Sequence, residues 1–145
     1  MQRAEVIPSI VLSGYALARI AAHDAGNDAP AAQWRVLSLL STRSGRRVGE
    51  LATASRTTQP GMTRLIGGLE RDGLVHRSPD PDDSRAVVVD ITPAGIAALT
   101  EWHSQFRDTI APRFAGLGDE DWAALTRAAE ILAAHTATEP TGASR

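Results

Sequence analysis

The chain has 145 residues, a formal net charge of −2 at pH 7 and no cysteine. This length suits one domain with its own hydrophobic core, and the lack of cysteine excludes disulfides, thiolate zinc sites and cysteine-based redox switches. No apolar run approaches the roughly 20 residues of a membrane-spanning helix, and no signal-peptide pattern opens the chain, so we expect a cytoplasmic protein without membrane contact.

The N-terminal third is predicted to be helical. Residues 6–23 carry apolar side chains at helical spacing, and these form two neighbouring stripes: Ile10, Gly14, Leu17 and Ala21 on one, and Val11, Tyr15 and Ala18 on the other. Residues 24–30 form a loop by their Gly, Asn, Asp and Pro content. A second helix is predicted at 31–42, a short extended piece at 46–48, and a brief helix at 49–55.

The middle of the chain predicts a helix followed by a β-hairpin. Thr58 is a suitable N-cap and Pro60 is tolerated in the first helical turn. Gly73 is expected to end this helix in the left-handed conformation. Strands are predicted at 74–78 and 86–91, and the acidic, proline-rich tip between them carries one arginine, Arg85.

Two further helices are predicted after the hairpin. Thr92-Pro93 begins the first, with a cap and a first-turn proline in the usual order, and Pro112 ends or kinks it. Three acids at 119–121 favour a helix N-terminus there, and this helix reaches about His135. The tail 137–145 is small and polar, and we expect it to be flexible.

A helix followed by a hairpin with a polar tip is the order of elements in a winged helix-turn-helix. We therefore predict a mainly α protein with a small β-hairpin wing (α+β), forming a single domain over 1–145. Residues 30–92 would form the DNA-binding lobe, and 1–25 and 93–136 the dimerisation helices. The apolar stripes on these terminal helices need something to pack against, and a second copy is the economical answer. The alternative is that they fold back on their own core.

The charge distribution favours a local nucleic-acid-binding face. Residues 41–78 contain seven arginines and three acids, a local charge of +4, whereas acids concentrate at 80–83 and 119–121. Every one of the fifteen basic residues is arginine, which suits bidentate contacts to phosphate and guanine. An ordinary solvated surface would show the same charge, so this feature alone decides nothing.

The chain resembles the MarR family of transcription regulators over nearly its whole length, in the order and spacing of several fragments. These fragments are Gln33-Trp34-Arg35-Val36-Leu37, Glu50-Leu51-Ala52, Met62-Thr63-Arg64-Leu65-Ile66, Leu69-Glu70-Arg71-Asp72-Gly73-Leu74-Val75, Asp80-Pro81-Asp82-Asp83-Ser84-Arg85 and Ile91-Thr92-Pro93-Ala94-Gly95. The resemblance implies a dimeric winged-helix repressor or activator. It also implies that a small aromatic or phenolic ligand lowers the affinity for DNA.

The candidate DNA contacts lie on three parts of the chain. These are the helix that begins after Thr58, which we call the recognition helix, the wing, and the arginine-rich segment 41–78. A helix N-terminus in the major groove offers free N–H groups and small side chains to bases and phosphates, and Arg85 on the wing suits the narrow minor groove. The predicted contacts are Thr58, Gln59, Pro60, Gly61, Thr63, Arg64, Arg85, Arg47 and Arg56. The alternatives are ion pairs of Arg64 with Glu50 or Glu70, and of Arg85 with Asp82 or Asp83.

Three features depart from the family pattern. Gly67-Gly68 interrupts the recognition helix, at a cost of roughly 1 kcal/mol per glycine relative to alanine, and one DNA contact could be missing there. Gly61 adds to this cost, and Ser84 stands where a second wing arginine is frequent. The alternative function is therefore a dimeric ligand- or protein-binding module that has kept the fold but lost strong DNA binding.

A small-molecule pocket is expected where the dimer helices meet the DNA-binding lobe. Tyr15, Arg19, His23 and Trp34 are the candidate ligand-binding residues, because Arg19 could pair with a carboxylate and the rings could stack on an aromatic group. The alternative is that these are packing and surface residues. The histidines show no metal-ligand spacing, and no catalytic or cofactor-binding motif is present. We predict no enzyme activity, no metal and no cofactor, and partners limited to double-stranded DNA with an imperfect inverted repeat, a second copy and a small effector.

Overall fold

The structure, a computed structural model, describes residues 1–26 and 31–136. These form two compact units, one from Met1 to Ile110 and one beginning at Ala111. The predicted loop at 24–30 therefore lies partly, and the predicted flexible tail at 137–145 wholly, outside the described residues. The prediction that 1–145 is a single domain stays a prediction.

The first unit contains five helices and three strands within its described residues. The helices are α1 (Arg3–Asp24), α2 (Ala31–Thr42), α3 (Val48–Ala54), α4 (Gln59–Arg71) and α5 (Pro93–Ile110), and the strands are β1 (Arg46–Arg47), β2 (Val75–Pro79) and β3 (Val87–Ile91). The predicted mainly α fold with a small wing is confirmed. The observed bounds differ from the predicted ones by a few residues, as is usual at frayed helix ends.

The wing is an antiparallel sheet of three strands in the order β1-β3-β2. Val75 pairs with Ile91 and Pro79 with Val87 in the hairpin, while Arg47 pairs with Val88 on the other side of β3. A two-strand hairpin was expected, with 46–48 only extended. Because β1 pairs with Val88 and Val89 of β3, the wing is attached to the residues that directly precede α3.

The core of the first unit lies between the buried face of α4 and the elements α2, α3 and β3. Its completely buried side chains come from α2, α3, α4 and β3, and they include Leu37, Leu51, Met62, Ile66 and Val89. The inward face of α4 consists of Met62, Ile66 and Leu69, which are buried, and Leu65, which is half-buried. Burial of this face holds α4 and leaves its opposite face and its N-terminus exposed.

Helix α1 packs against α5 along part of its length. Ala21 is buried and Ile10 and Leu17 are half-buried, so this predicted stripe is partly covered within the chain. The neighbouring surface of Val11, Leu12 and Tyr15 is 44–68 % exposed. The exposed face of α1 in the first unit is therefore the second stripe rather than the first.

The expectation that no segment has the length and composition of a membrane span is wrong for α1. Its 22 residues include an 18-residue window with a mean hydropathy of 1.3, which is long and apolar enough to cross a bilayer. Core helices of soluble proteins meet the same criterion, so length and composition do not assign a membrane role.

The second unit, as far as it is described, contains a 3₁₀ helix (Ala111–Phe114) and α6 (Asp119–Thr136). The three acids at 119–121 lie in the first turn of α6 as predicted, where the helix dipole favours negative charge. Phe114 packs on Trp122 with a ring-centroid distance of 6.4 Å. Trp122, Leu125 and Ile131 remain 43–48 % exposed.

Candidate nucleic-acid interface

The N-terminus of α4 is an exposed, capped helix end. Thr58 is the N-cap, and its hydroxyl accepts a hydrogen bond from the Gly61 backbone N–H at 3.2 Å. A Cβ on Gly61 would lie 3.0 Å from the Thr58 hydroxyl and 3.4 Å from that of Thr57. Glycine therefore allows this cap to close tightly. Gln59 and Pro60 are exposed beside it, so the predicted first-turn residues share one accessible surface.

Thr63 and Arg64 lie one turn further along α4, and both are exposed. The Thr63 hydroxyl donates to the Gln59 carbonyl at 2.9 Å. The alternative partners proposed for Arg64 are engaged elsewhere, since Glu50 pairs with Arg43 and Glu70 with Arg77. Within the described part of the chain Arg64 makes no ion pair, so its guanidinium is available to a ligand.

Arg85 occupies the wing tip, and its side chain is likewise exposed. Its backbone N–H donates to Asp83 Oδ1 at 3.1 Å, but its guanidinium pairs with neither Asp82 nor Asp83. The tip is closed by a hydrogen bond from the Asp80 N–H to the Ala86 carbonyl at 3.0 Å. The second predicted DNA-contacting arginine is thus also unpaired within residues 1–26 and 31–136.

Arg47 and Arg56 have different environments from Arg64 and Arg85. Arg47 donates from Nε and Nη2 to Asp80 Oδ2, at 2.8 and 2.7 Å. Arg56 lies exposed in the turn between α3 and α4, with a left-handed φ of 51°. That conformation is uncommon for arginine, and no sequence signal identified it. The direct DNA contacts of both residues stay predictions.

Ion pairs shift the pKa values of three groups around this surface. Hydrogen bonding by Arg77 lowers the pKa of Glu70 below its ordinary value. The backbone N–H of Asp82 and then the Arg47 guanidinium lower the pKa of Asp80, while Asp80 raises that of Arg47. All three groups are therefore charged at neutral pH, because each shift favours the ionised form.

The four predicted ligand-binding residues do not form one pocket in the described chain. Tyr15, Arg19 and His23 are exposed, and His23 lies 3.2 Å from Asp24. Trp34 stacks on Trp102 with a ring-centroid distance of 5.2 Å. The cavity between α1 and α5 holds about 20 Å³ and is lined by other residues: Ala18, Ala21, Ala22, Ala25, Trp102, Gln105 and Phe106.

Sequence reasoning missed the contribution of α5 to this region. Trp102 contacts the rings of Trp34 and Phe106, and the Trp34 indole Nε1 is buried without a hydrogen-bond partner among the described residues. The i, i+4 spacing of Trp102 and Phe106 was the available signal, since it places two aromatic rings on one helical face.

The exposed N-terminus of α4, the exposed Arg64 and the wing carrying Arg85 together define a winged helix-turn-helix DNA-binding transcription regulator. Comparison with known proteins agrees with this class. The sequence profile of the MarR family matches residues 30–87. The chain is 30 % identical over 102 residues to the HTH-type transcriptional regulator MT0903.1 of Mycobacterium tuberculosis, covering 70 % of this chain and 71 % of that one.

A second relative agrees with this class, and a solved structure shares the fold. The HTH-type transcriptional repressor IacR of Pseudomonas putida is 27 % identical over 100 residues, which is 69 % of this chain and 60 % of IacR. The crystal structure of RV1404 from Mycobacterium tuberculosis has the same fold, with a TM-score of 0.77, 20 % identity and coverage of 98 % of this chain and 99 % of that one. The chain belongs to the MarR family, whose regulators bind DNA and act as dimers.

Proposed function

We propose that this chain is a homodimeric, ligand-responsive repressor that binds an imperfect inverted repeat in double-stranded DNA in the cytoplasm. The observation that carries the proposal is a pair of exposed arginines that make no ion pair with any described residue: Arg64 on α4 and Arg85 on the wing tip. Arg64 would reach phosphate or guanine in the major groove, and Arg85 the adjacent minor groove. Repression is supported by the name of IacR, a transcriptional repressor of Pseudomonas putida.

A dimer explains the form of the DNA site. Two recognition helices on a two-fold axis would contact successive major grooves about 34 Å apart. The matching site is an inverted repeat with its half-sites about one helical turn apart. The apolar faces left open on α1 and on α6 supply the surfaces that a second copy would cover.

Binding of the duplex upstream of the chain's own gene tests the proposal. Fluorescence anisotropy should give tight, salt-dependent binding, and Arg64→Ala and Arg85→Ala should each weaken it by about 1–3 kcal/mol if the side chains reach bases. Arg107→Ala, an exposed arginine on α5, is the control for loss of charge. Unchanged affinity in both variants, with folding intact, would remove these two roles. No binding by the wild type to this duplex or to any duplex selected from a random pool would favour the alternative module.

We propose further that an aromatic carboxylate or phenol releases the DNA. The supporting observation is the Trp34–Trp102–Phe106 cluster, where the unpartnered Trp34 N–H could donate to a ligand oxygen. A cavity of about 20 Å³ has room for one water, so an aromatic ligand must separate α1 from α5. A ligand that binds only this separated state shifts the population towards it, and α1 carries the apolar face of the proposed dimer.

Titration of the protein–DNA complex with salicylate-like compounds tests this effector. Release of DNA by the wild type, reduced in Trp102→Ala, is the expected result. Arg19→Ala tests the predicted ligand-binding role of Arg19, because it should weaken the effector only if Arg19 pairs with the carboxylate. If no compound in a broad aromatic panel shifts DNA binding, the effector proposal fails while the DNA-binding proposal stands.

A further inference from the structure

The Arg47 side chain connects the start of the helix-turn-helix to the tip of the wing. Arg47 is the last residue of β1 and directly precedes α3, whereas Asp80 directly follows β2. Because β3 lies between these two edge strands, the contact between Arg47 and Asp80 reaches across the middle strand of the sheet. Both donors of this contact reach the same carboxylate oxygen, at 2.8 and 2.7 Å.

Asp80 is held equally firmly from the side of the wing. Its Oδ1 accepts the Asp82 N–H at 2.9 Å, and its own N–H donates to the Ala86 carbonyl at 3.0 Å. Only 10 % of its side chain is exposed. Asp80 therefore anchors the turn over 80–86, and Arg85 lies within that turn.

The residue type at position 47 agrees with a role outside helix capping. Arg47 is the N-cap residue of α3, yet no side-chain cap forms there. Serine, threonine, aspartate and asparagine are preferred at this position because their side chains accept a backbone N–H, and a guanidinium has no acceptor. Arginine at position 47 therefore forms no side-chain cap, but it is long enough to reach Asp80 and binds it with two donors.

We propose that Arg47 is a positioning residue that holds the wing tip, and with it Arg85, at a set distance from α4. The inference rests on the proposed DNA binding and replaces the predicted direct contact of Arg47 with DNA. Helix α3, which Arg47 precedes, packs on α4 through the core residues Leu51 and Met62. The ion pair therefore joins the major-groove element to the minor-groove element. The rival role is a phosphate contact, since 45 % of the Arg47 side chain is exposed.

Single and double variants separate positioning from direct contact. With a duplex selected from a random pool as the probe, Arg47→Ala and Asp80→Ala should each weaken binding by about tenfold, the effect of removing one base-reading side chain. The double variant should be no weaker than either single variant, because both remove one interaction. The slope of log Kd against log salt should stay that of the wild type, since the same number of phosphates is neutralised.

A direct contact of Arg47 with a DNA phosphate predicts the opposite pattern. Asp80→Ala would free Arg47 and remove a negative charge near the DNA, so binding would tighten. Arg47→Ala would reduce the salt slope by about 1 for each phosphate that is no longer neutralised. Either result overturns the positioning role. Arg107→Ala and Asp108→Ala, which break a 3.9 Å ion pair on α5, are the matched controls and should leave binding unchanged.

Amide hydrogen exchange provides a readout that needs no DNA. In both Arg47→Ala and Asp80→Ala the amides of residues 80 and 82–86 should exchange faster, while the core amides of α4 remain protected, which shows that the variants are folded. If exchange in 80–86 is unchanged in both variants, the proposal is wrong. If the wild type binds no duplex, the proposed function fails, and the exchange experiment still decides whether Arg47 positions the wing.

Discussion

Gly95, in the first turn of α5, packs against the backbone of Leu74, which lies just after the end of α4. A Cβ at this position would be 2.1 Å from the Leu74 carbonyl oxygen and 2.7 Å from Ile91. The same junction is closed by Thr92, whose hydroxyl donates to the Gly73 carbonyl at 2.6 Å and accepts the Gly95 N–H at 3.0 Å. Only glycine permits this approach of backbone to backbone.

Gly95→Ala is therefore expected to destabilise the fold. Because the clash is with a backbone atom, relief requires α5 to move, and overpacking of this kind costs about 1–3 kcal/mol or more. Urea unfolding followed by circular dichroism measures the change. Gly14→Ala on α1, where a Cβ would meet nothing within 4 Å, is the control. Unchanged stability of Gly95→Ala would show that α5 can move away from Leu74 at little cost.

Glu70 joins the last turn of α4 to strand β2 of the wing. It accepts from Arg77 Nε at 2.6 Å and from the Arg77 backbone N–H at 3.3 Å. These hydrogen bonds lower the pKa of Glu70. A pKa that is lower in the folded state than in the unfolded state stabilises the fold above the unfolded value, and this contribution is lost as pH falls through the folded value.

Glu70→Gln is expected to lower the free energy of unfolding at pH 7. This loss of stability relative to wild type should become smaller as the pH falls. The difference from wild type should begin to shrink near the unfolded pKa of about 4.3 and disappear below the folded pKa. Urea unfolding between pH 7 and pH 3 checks it. Glu101→Gln, which alters an exposed acceptor of the Gln105 amide, is the control. A difference that is constant over this range would contradict the assigned ion pair.

Helix α4 is continuous from Gln59 to Arg71 even though Gly67-Gly68 lies inside it. Burial of Met62, Ile66 and Leu69 offsets the conformational cost of the two glycines, because packing of an amphipathic face contributes more to a helix than propensity does. A Cβ at Gly67 would meet nothing within 4 Å, so no close contact requires glycine at this position.

Gly67→Ala is therefore expected to stabilise the protein by up to about 1 kcal/mol. The measurement is the midpoint of urea unfolding, with wild type and variant at the same protein concentration. Gly73→Ala, where φ is +73°, is the matched control, and it should destabilise because that conformation is strained for alanine. Loss of stability in Gly67→Ala would mean that this part of α4 is not an ordinary helix.

Each of the two units carries exposed apolar side chains, on α1 in the first unit and on α6 in the second. Leu12 is 68 % exposed and Tyr15 64 % on α1, and Trp122 is 48 % exposed on α6. Large contiguous apolar patches on soluble proteins mark interaction sites. Since regulators of this family act as dimers, a second copy explains these surfaces better than a bilayer does.

Sedimentation equilibrium at micromolar concentration should give twice the 15.4 kDa chain mass. Leu12→Asp should shift the equilibrium towards monomer, because dimerisation would then bury an unpaired charge, while Thr100→Asp, at an exposed position on α5, should not. Flotation with neutral lipid vesicles tests whether a lipid bilayer, and not a second copy, covers the exposed face of α1. A monomeric wild type, or one that floats with the vesicles, would contradict the proposed dimer.

Local features of this protein were predictable from its sequence because their signals span only a few residues. Thr58 caps α4, Gly73 follows it in the left-handed conformation, and Thr92 begins α5, all as predicted. The buried face of α4 also follows from helical spacing. Each of these depends on backbone conformation or periodicity within one element, which neighbouring residues determine.

The tertiary structure alone decided which side chains are available for function. Arg47 and Asp80 are 33 residues apart, and their pairing depends on β1 joining the far side of β3, which only the folded sheet brings about. Among the described residues Arg64 makes no ion pair, and its two candidate acids pair with Arg43 and Arg77 instead. Trp34 meets Trp102, not Tyr15 or His23. Contacts between distant elements depend on packing in three dimensions, and spacing within one segment carries no record of that packing.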